Sequence, residues 1–381
     1  MAPYFSTITS EATFRARFVA EEGKTFSELD DVAASDWGRE HLFACRVVRR
    51  EVQNNILPAL SNHAFPGDAQ TSREIVDLLD GPRVEHMGQS EYFLVRNYGV
   101  SLGNIWAAMA MYKGHQDRRR TDATGSSEDE TDSEEEESRP KRIRRNTIPE
   151  NFVDSSMIQI GSSSPTREGS QVASSVGYVD VASHTFLMPP EDGTLRLASC
   201  VIRHILYFAP PQESGRLPTV VEFRDAKTRL TARSPVLERR MVATDDGGLC
   251  LRQQSNDLFK VLKNRVAMLE AKRRFQCIED GKPIISDKCF AQMTCEALVA
   301  RLTDPLKELG HGSVLLINAT QHYMCFLQYE ISSAYLEDFE STVPTSFMHV
   351  ISTPWFDLSS KTGREQVVSN LCGIMRWTTV S

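Results

Sequence analysis

The chain reads as an α/β protein with a mixed sheet flanked by helices. Three observations predict this. Residues 257–273 have the composition of extended backbone, including the run Val-Ala-Met-Leu-Glu-Ala-Lys. Asp287–Leu302 (DKCFAQMTCEALVARL) repeats apolar residues at helical spacing, with Ser286 or Asp287 at its start. Ser313–Ala319 (SVLLINA) is almost wholly apolar, as a central strand covered on both faces is. Strands, then a helix, then further strands, with helices at the margins, is the order of an α/β domain.

The elements divide the 381 residues into three stretches. The first, 1–113, reads as a helical N-terminal region. From Asp36, Trp37, Leu42, Cys45, Val48, Val52, Ile56 and Leu60 recur three to five residues apart, an amphipathic stripe with Ser35 as N-cap. Thr71–Leu79 and Ser101–Tyr112 give two more helices, and the region reads as a bundle that supports the rest or grips a protein partner. The second stretch, 114–177, is too polar and charged to bury a core, and is expected to be a disordered linker. It holds an acidic run, Gly125–Glu137, with Ser126, Ser127, Thr131 and Ser133 as kinase-type acceptors, followed by the basic run Arg139–Arg145. The basic run reads equally as a nuclear-import signal or as one half of a solvated polyampholyte. The third stretch, 178–381, holds the α/β order: a helix at Leu195–Phe208, strands from about Met241, the helix at Asp287, two strands at Ser313–Ala319 and His322–Ile331, and a closing helix between Trp355 and Trp377.

Composition narrows the function classes. A formal net charge of −8 argues against coating nucleic acid with a generally basic surface, though not against a basic cleft. The eight cysteines form no CxxC pair and sit in apolar stretches, the pattern of reduced, buried thiols. The first residues show no signal peptide, and no apolar run is long enough to span a membrane. A soluble protein in the nucleus, or otherwise the cytoplasm, is expected. Phosphate-loop, HExxH, GxSxG and Cys/His metal patterns are missing.

The chemistry concentrates between Asn256 and Phe275. Read as two strands, Asp257–Leu262 and Arg265–Arg273, closed by a Lys263-Asn264 turn, this stretch sets Asp257 opposite Glu270. Glu270 and Lys272 leave the same face, because side chains alternate along a strand. Two acids and a lysine beside an apolar strand are costly unless they hold one another or a metal ion. Such a set suits a divalent-metal site for phosphate chemistry. Asp245 and Asp246, in TDDGG, are the rival acids, although the glycines after them read as a turn. The plainer reading of Glu270 and Lys272 is a cross-strand charge ladder of small energetic weight.

Asp257, Glu270-Ala271-Lys272 and then Gln292 on the following helix resemble the PD-(D/E)XK nuclease superfamily, and most of all its fungal nuclease-like proteins. The resemblance covers about Arg224 to Glu340. It implies a restriction-endonuclease-like core of helix, three strands, helix and strand. The first helix would fall near Ala232–Arg240, with Glu238 as a candidate helical carboxylate. It further implies that Asp257, Glu270 and the Ala271 carbonyl ligate Mg²⁺ or Mn²⁺. Lys272 would orient or help deprotonate the attacking water, and Gln292 would steady the metal site or the phosphate backbone. Asn256 stands where the family's pattern has Pro, a departure at a position that is not a ligand. The expected function is metal-dependent hydrolysis of phosphodiester bonds in DNA, with RNA as the other substrate. The alternative is a catalytically inactive nuclease-fold module serving protein or nucleic-acid interaction.

Overall fold

A computed structural model describes residues 2–51, 55–63, 71–124, 191–210, 219–255, 258–279, 281–304, 309 and 312–380. The acidic run, the basic run Arg139–Arg145 and the linker reading beyond Thr124 lie outside the described residues, as does Asp257.

The strands are β1 (Val47–Glu51), β2 (Thr219–Arg224), β3 (Arg229–Arg233), β4 (Arg240–Thr244), β5 (Gly247–Ser255), β6 (Leu258–Lys272), β7 (Cys277–Glu279), β8 (Lys282–Ile284), β9 (Ser313–Thr320), β10 (Tyr323–Glu330), β11 (Met348–Ser352) and β12 (Phe356–Asp357). The main sheet runs β1-β11-β10-β9-β6-β5-β2, with β12 beside β10, while β3–β4 and β7–β8 are separate two-stranded ribbons. Neighbours are antiparallel except β6 with β9 and β1 with β11. A parallel neighbour needs a crossover. For β6 and β9 that crossover contains the helix at Asp287–Leu302.

The helices are α1 (Tyr4–Thr7), α2 (Glu11–Ala20), α3 (Arg39–Ala44), α4 (Arg73–Asp80), α5 (Glu91–Thr124, broken at Gly99), α6 (Glu191–Phe208), α7 (Asp287–Leu302), α8 (Ser333–Asp338) and α9 (Lys361–Val380). They cover the sheet in two layers, and side-chain alternation along the strands sorts the core between them. Met268, Leu316 and Cys325 pack with α1, α2, α3 and α7. Leu269, Ile317 and Phe326 pack with α4, α5, α6 and α9. The all-apolar β9 therefore lies inside the sheet, as its composition predicts. Within the first layer α7 is buried on nearly every side, and Phe290 is fully enclosed. Truncating Phe290 to alanine costs about 3–5 kcal/mol by lost contacts and cavity formation.

Several elements depart from expectation. The stripe that begins at Asp36 is helical only to Ala44. Arg46 takes a left-handed φ of 50°, ending the helix, and the β-branched Val47 and Val48 open strand β1. β1 joins the main sheet against β11, while Tyr4 N and Arg39 both bond the Asp287 carboxylate at the start of α7. No helix occupies Ala232–Arg240; that stretch falls in the β3–β4 ribbon, and the helix preceding the sheet core is α6. Glu238 lies between those strands, exposed and 3.9 Å from Arg233.

The expected turn at Lys263-Asn264 is also overturned. β6 runs unbroken through both residues, and β5 pairs with it as far as Ser255 opposite Leu258. Lys-Asn lacks the glycine that a tight two-residue hairpin favours. What interrupts the ladder there is a bulge: Leu249 faces Ala267 while Leu251 already faces Lys263.

Among the described residues no helix is long and apolar enough to cross a membrane.

Candidate active site

With β6 unbroken, Leu258 lies twelve residues before Glu270, roughly 40 Å away at about 3.3 Å per residue. Among the described residues, an acid bonded to the backbone beside Glu270 comes from elsewhere. It is Asp246, the rival in TDDGG, at the entry to β5. Asp246 N–H donates to the Leu269 carbonyl, and its Oδ2 accepts from Ala271 N–H at 2.9 Å. Its Oδ1 lies 2.8 Å from Lys227 Nζ.

Glycine explains how β5 begins so close. A Cβ on Gly248 would stand 2.3 Å from the Ala267 carbonyl oxygen, and Gly247 has a φ of 146°. The two glycines let the chain turn out of β4 and press against β6 at once. The neighbouring Asp245 is engaged differently. Arg224 clamps it through both terminal guanidinium nitrogens, and Thr228 N–H donates to it. One acid of the pair is tied into the structure and the other faces β6.

On β6, Glu270 and Lys272 project toward α7. Glu270 is 1% exposed, and its Oε1 lies 2.5 Å from Lys272 Nζ. Gln292 on α7 joins them, its Nε2 donating to Glu270 Oε1 at 2.8 Å and its Oε1 accepting from Lys272 at 3.1 Å. One helical turn on, Glu296 accepts from the same Gln292 amide and is fully buried. Glu296 thus lies on an enclosed face of α7, with Gln292 half-buried one turn before it. Among the described residues, Glu270 Oε2 and Glu296 Oε2 are buried without hydrogen-bond partners.

These contacts set the charges. Burial pushes the Glu270 carboxyl up to about 7; Lys272 pulls the other way, and Asp246 adds to the rise. Burial, followed by the Glu270 charge, lifts Glu296 well above the carboxylate range. Burial also works against the charge on Lys272, but Glu270 outweighs it and holds the ammonium above its ordinary pKa. A lysine held protonated donates to anionic oxygens and does not accept a proton. Glu191, in the first turn of α6, acts electrostatically on both Glu270 and Lys272.

Of the residues expected to form the site, Glu270, Lys272 and Gln292 are in direct contact, and the Ala271 backbone is held by Asp246. Asp246, Glu296 and Lys227 are the additions. The glycines after Asp246 were the available signal for the first; Glu296 had only its spacing of four from Gln292. The donor set suits a hard divalent cation. Asp246 and Glu270 offer carboxylate oxygens, and Glu270 Oε2 is a buried acceptor with nothing yet to accept. Strand alternation turns the Ala271 carbonyl toward the same edge as its N–H, the edge where Asp246 sits. Among the described residues no group of three His, Cys, Asp or Glu side chains could hold a metal, so such an ion would rest on two carboxylates and a backbone oxygen. Compared with known proteins, the chain matches no family model and no curated sequence.

Proposed function

We propose that the chain is a metal-dependent nuclease of the PD-(D/E)XK type that hydrolyses phosphodiester bonds in DNA. The observation that carries this reading is the contact of Glu270, Lys272 and Gln292, with Asp246 bonded to the intervening Ala271. The succession α6, β2, β5, β6, α7, β9, with β6 and β9 parallel and the other pairs antiparallel, supports it as the helix, three-strand, helix, strand core that the superfamily resemblance implies.

In this reading Asp246, Glu270 and the Ala271 carbonyl hold Mg²⁺ or Mn²⁺, which would activate a water and neutralise charge on the phosphate. Lys272, kept protonated by Glu270, donates to the phosphoryl oxygens as negative charge develops. Gln292 fixes the rotamers of both, since one amide bonds each of them. Asp257 has no part. A nuclear location belongs to the proposal on the strength of Arg139–Arg145 alone.

One observation favours the alternative, a catalytically inactive module of the same fold: Glu270 and Glu296 are both enclosed, and burial raises both carboxyls above their ordinary range. Incubation of the purified chain with single- and double-stranded DNA in Mg²⁺ or Mn²⁺ separates the two. Cleavage lost in Glu270→Gln and Lys272→Ala supports the nuclease. Cleavage that survives either substitution rejects the assignment, and no cleavage under any condition leaves the inactive module.

A further inference from the structure

A cavity of about 370 Å³ opens on the α7 side of the sheet, lined among others by Phe5, Arg49, Lys282, Tyr323, Trp355 and Asp357. Its size lies within the range of about 300–1,000 Å³ common to small-ligand clefts. Register ties it to the candidate site. Lys272 pairs with Thr320 on β9, and Thr320 pairs with Tyr323 on β10. Paired residues project from one face, so Tyr323 stands on the same face as Lys272. It is two strand spacings away, roughly 10 Å.

The walls are rigid aromatic surfaces. Phe275, three residues beyond Lys272, meets Tyr323 edge-on at 5.2 Å and Trp355 at 5.0 Å, bracing both rings. Arg49 lies over Phe5, and Lys282 is exposed on the opposite ribbon, β7–β8. Between the two sites, Arg273 and Arg274 are exposed on the chain leading from Lys272 to Phe275. Along the chain the order is therefore a phosphate-handling lysine, two exposed cations and Phe275 at the aromatic pocket, with Lys272 and Tyr323 on one face of the sheet.

Resting on the nuclease reading, we propose that this cavity receives one unpaired base of a single-stranded nucleic acid whose backbone passes Arg273 and Arg274 to reach Lys272. An aromatic pocket offers stacking to any base, and Asp357 at its wall can accept from an exocyclic amino group. A base inside a duplex cannot enter such a pocket without leaving the stack. The substrate class is thus single-stranded DNA, or a strand locally unpaired.

The test is binding of the full chain, in EDTA, to a fluorescein-labelled single-stranded DNA decamer and to the same decamer with abasic sites throughout. Cleavage plays no part in this readout, so failure of the pocket and failure of the nuclease are separable. The intact strand is expected to bind about tenfold more tightly than the abasic one. Trp355→Ala should abolish that preference, and Trp355→Phe should retain most of it. Equal affinity for the two strands with the unaltered protein overturns the proposal, as does a preference that persists in Trp355→Ala. A preference seen in protein that fails to cut DNA upholds the pocket while leaving the nuclease reading to its own test.

Discussion

The two ends of β6 put one strand to opposite uses. From Leu258 to Leu262 its side chains stand in the open: Leu258 is 60% exposed, Val261 49% and Leu262 43%. From Val266 to Ala271 they are closed in on both faces, with Glu270 among them. The apolar residues at the first end lie outside the core, whereas the charged ones at the second are buried in it. Neighbouring strands decide this. Beyond the bulge near Lys263 only β5 pairs with β6, but from Met268 onward β9 pairs with it as well and α7 closes over it. Composition therefore does not report burial along β6; sheet position does.

Breaking the buried end has the largest effect. Lys272→Ala leaves Glu270 enclosed without its cation, and a cost of about 3–5 kcal/mol is expected in urea unfolding. A loss under about 1 kcal/mol would mean that the pair is solvated. The neighbouring acids of β5 separate next. Asp245→Ala strips Arg224 of its buried partner and should destabilise by about 3 kcal/mol or more, whereas Asp246, bonded to a partly exposed lysine, should cost about 1–2 kcal/mol. Equal costs for the two would erase the distinction between a structural and a functional acid.

Acidity sharpens the comparison further. Burial pushes the Glu270 carboxyl up from its ordinary 4.5 to about 7 in the folded chain. Across that interval the folded state binds more protons than the unfolded one, so its contribution to stability falls as pH rises from about 4.5 to 7. Glu296 acts in the same direction. The melting temperature of metal-free protein should drop over this range, and Glu270→Gln should flatten the drop; an unchanged slope in that variant would contradict it. The smallest effect belongs to the open end, where Leu258→Ser should shift unfolding by no more than about 0.5 kcal/mol.

Much of this architecture was legible in the residues. α7 has the bounds that its periodicity predicts, and β9 is as central as its composition implies. Glu270, Lys272 and Gln292 were identifiable because strand and helix periods place them on facing surfaces. Two things were not legible. Val47–Glu51 continues an apolar spacing that suits a helix, and only a partner 300 residues away, β11, makes it a strand. The choice between Asp246 and Asp257 turned on a register, and a bulge passes for a turn in a sequence with charged residues at both. The glycines of TDDGG look like a loop signal, but their smallness serves the close approach of β5 to β6.

Calorimetric titration of Mn²⁺ into the unaltered chain, Asp246→Asn and Asp257→Asn tests the central claim most directly. One binding site is expected in the unaltered chain, lost in Asp246→Asn and kept in Asp257→Asn. Binding that survives without Asp246, or that vanishes without Asp257, would contradict the partnership of Asp246 with Glu270.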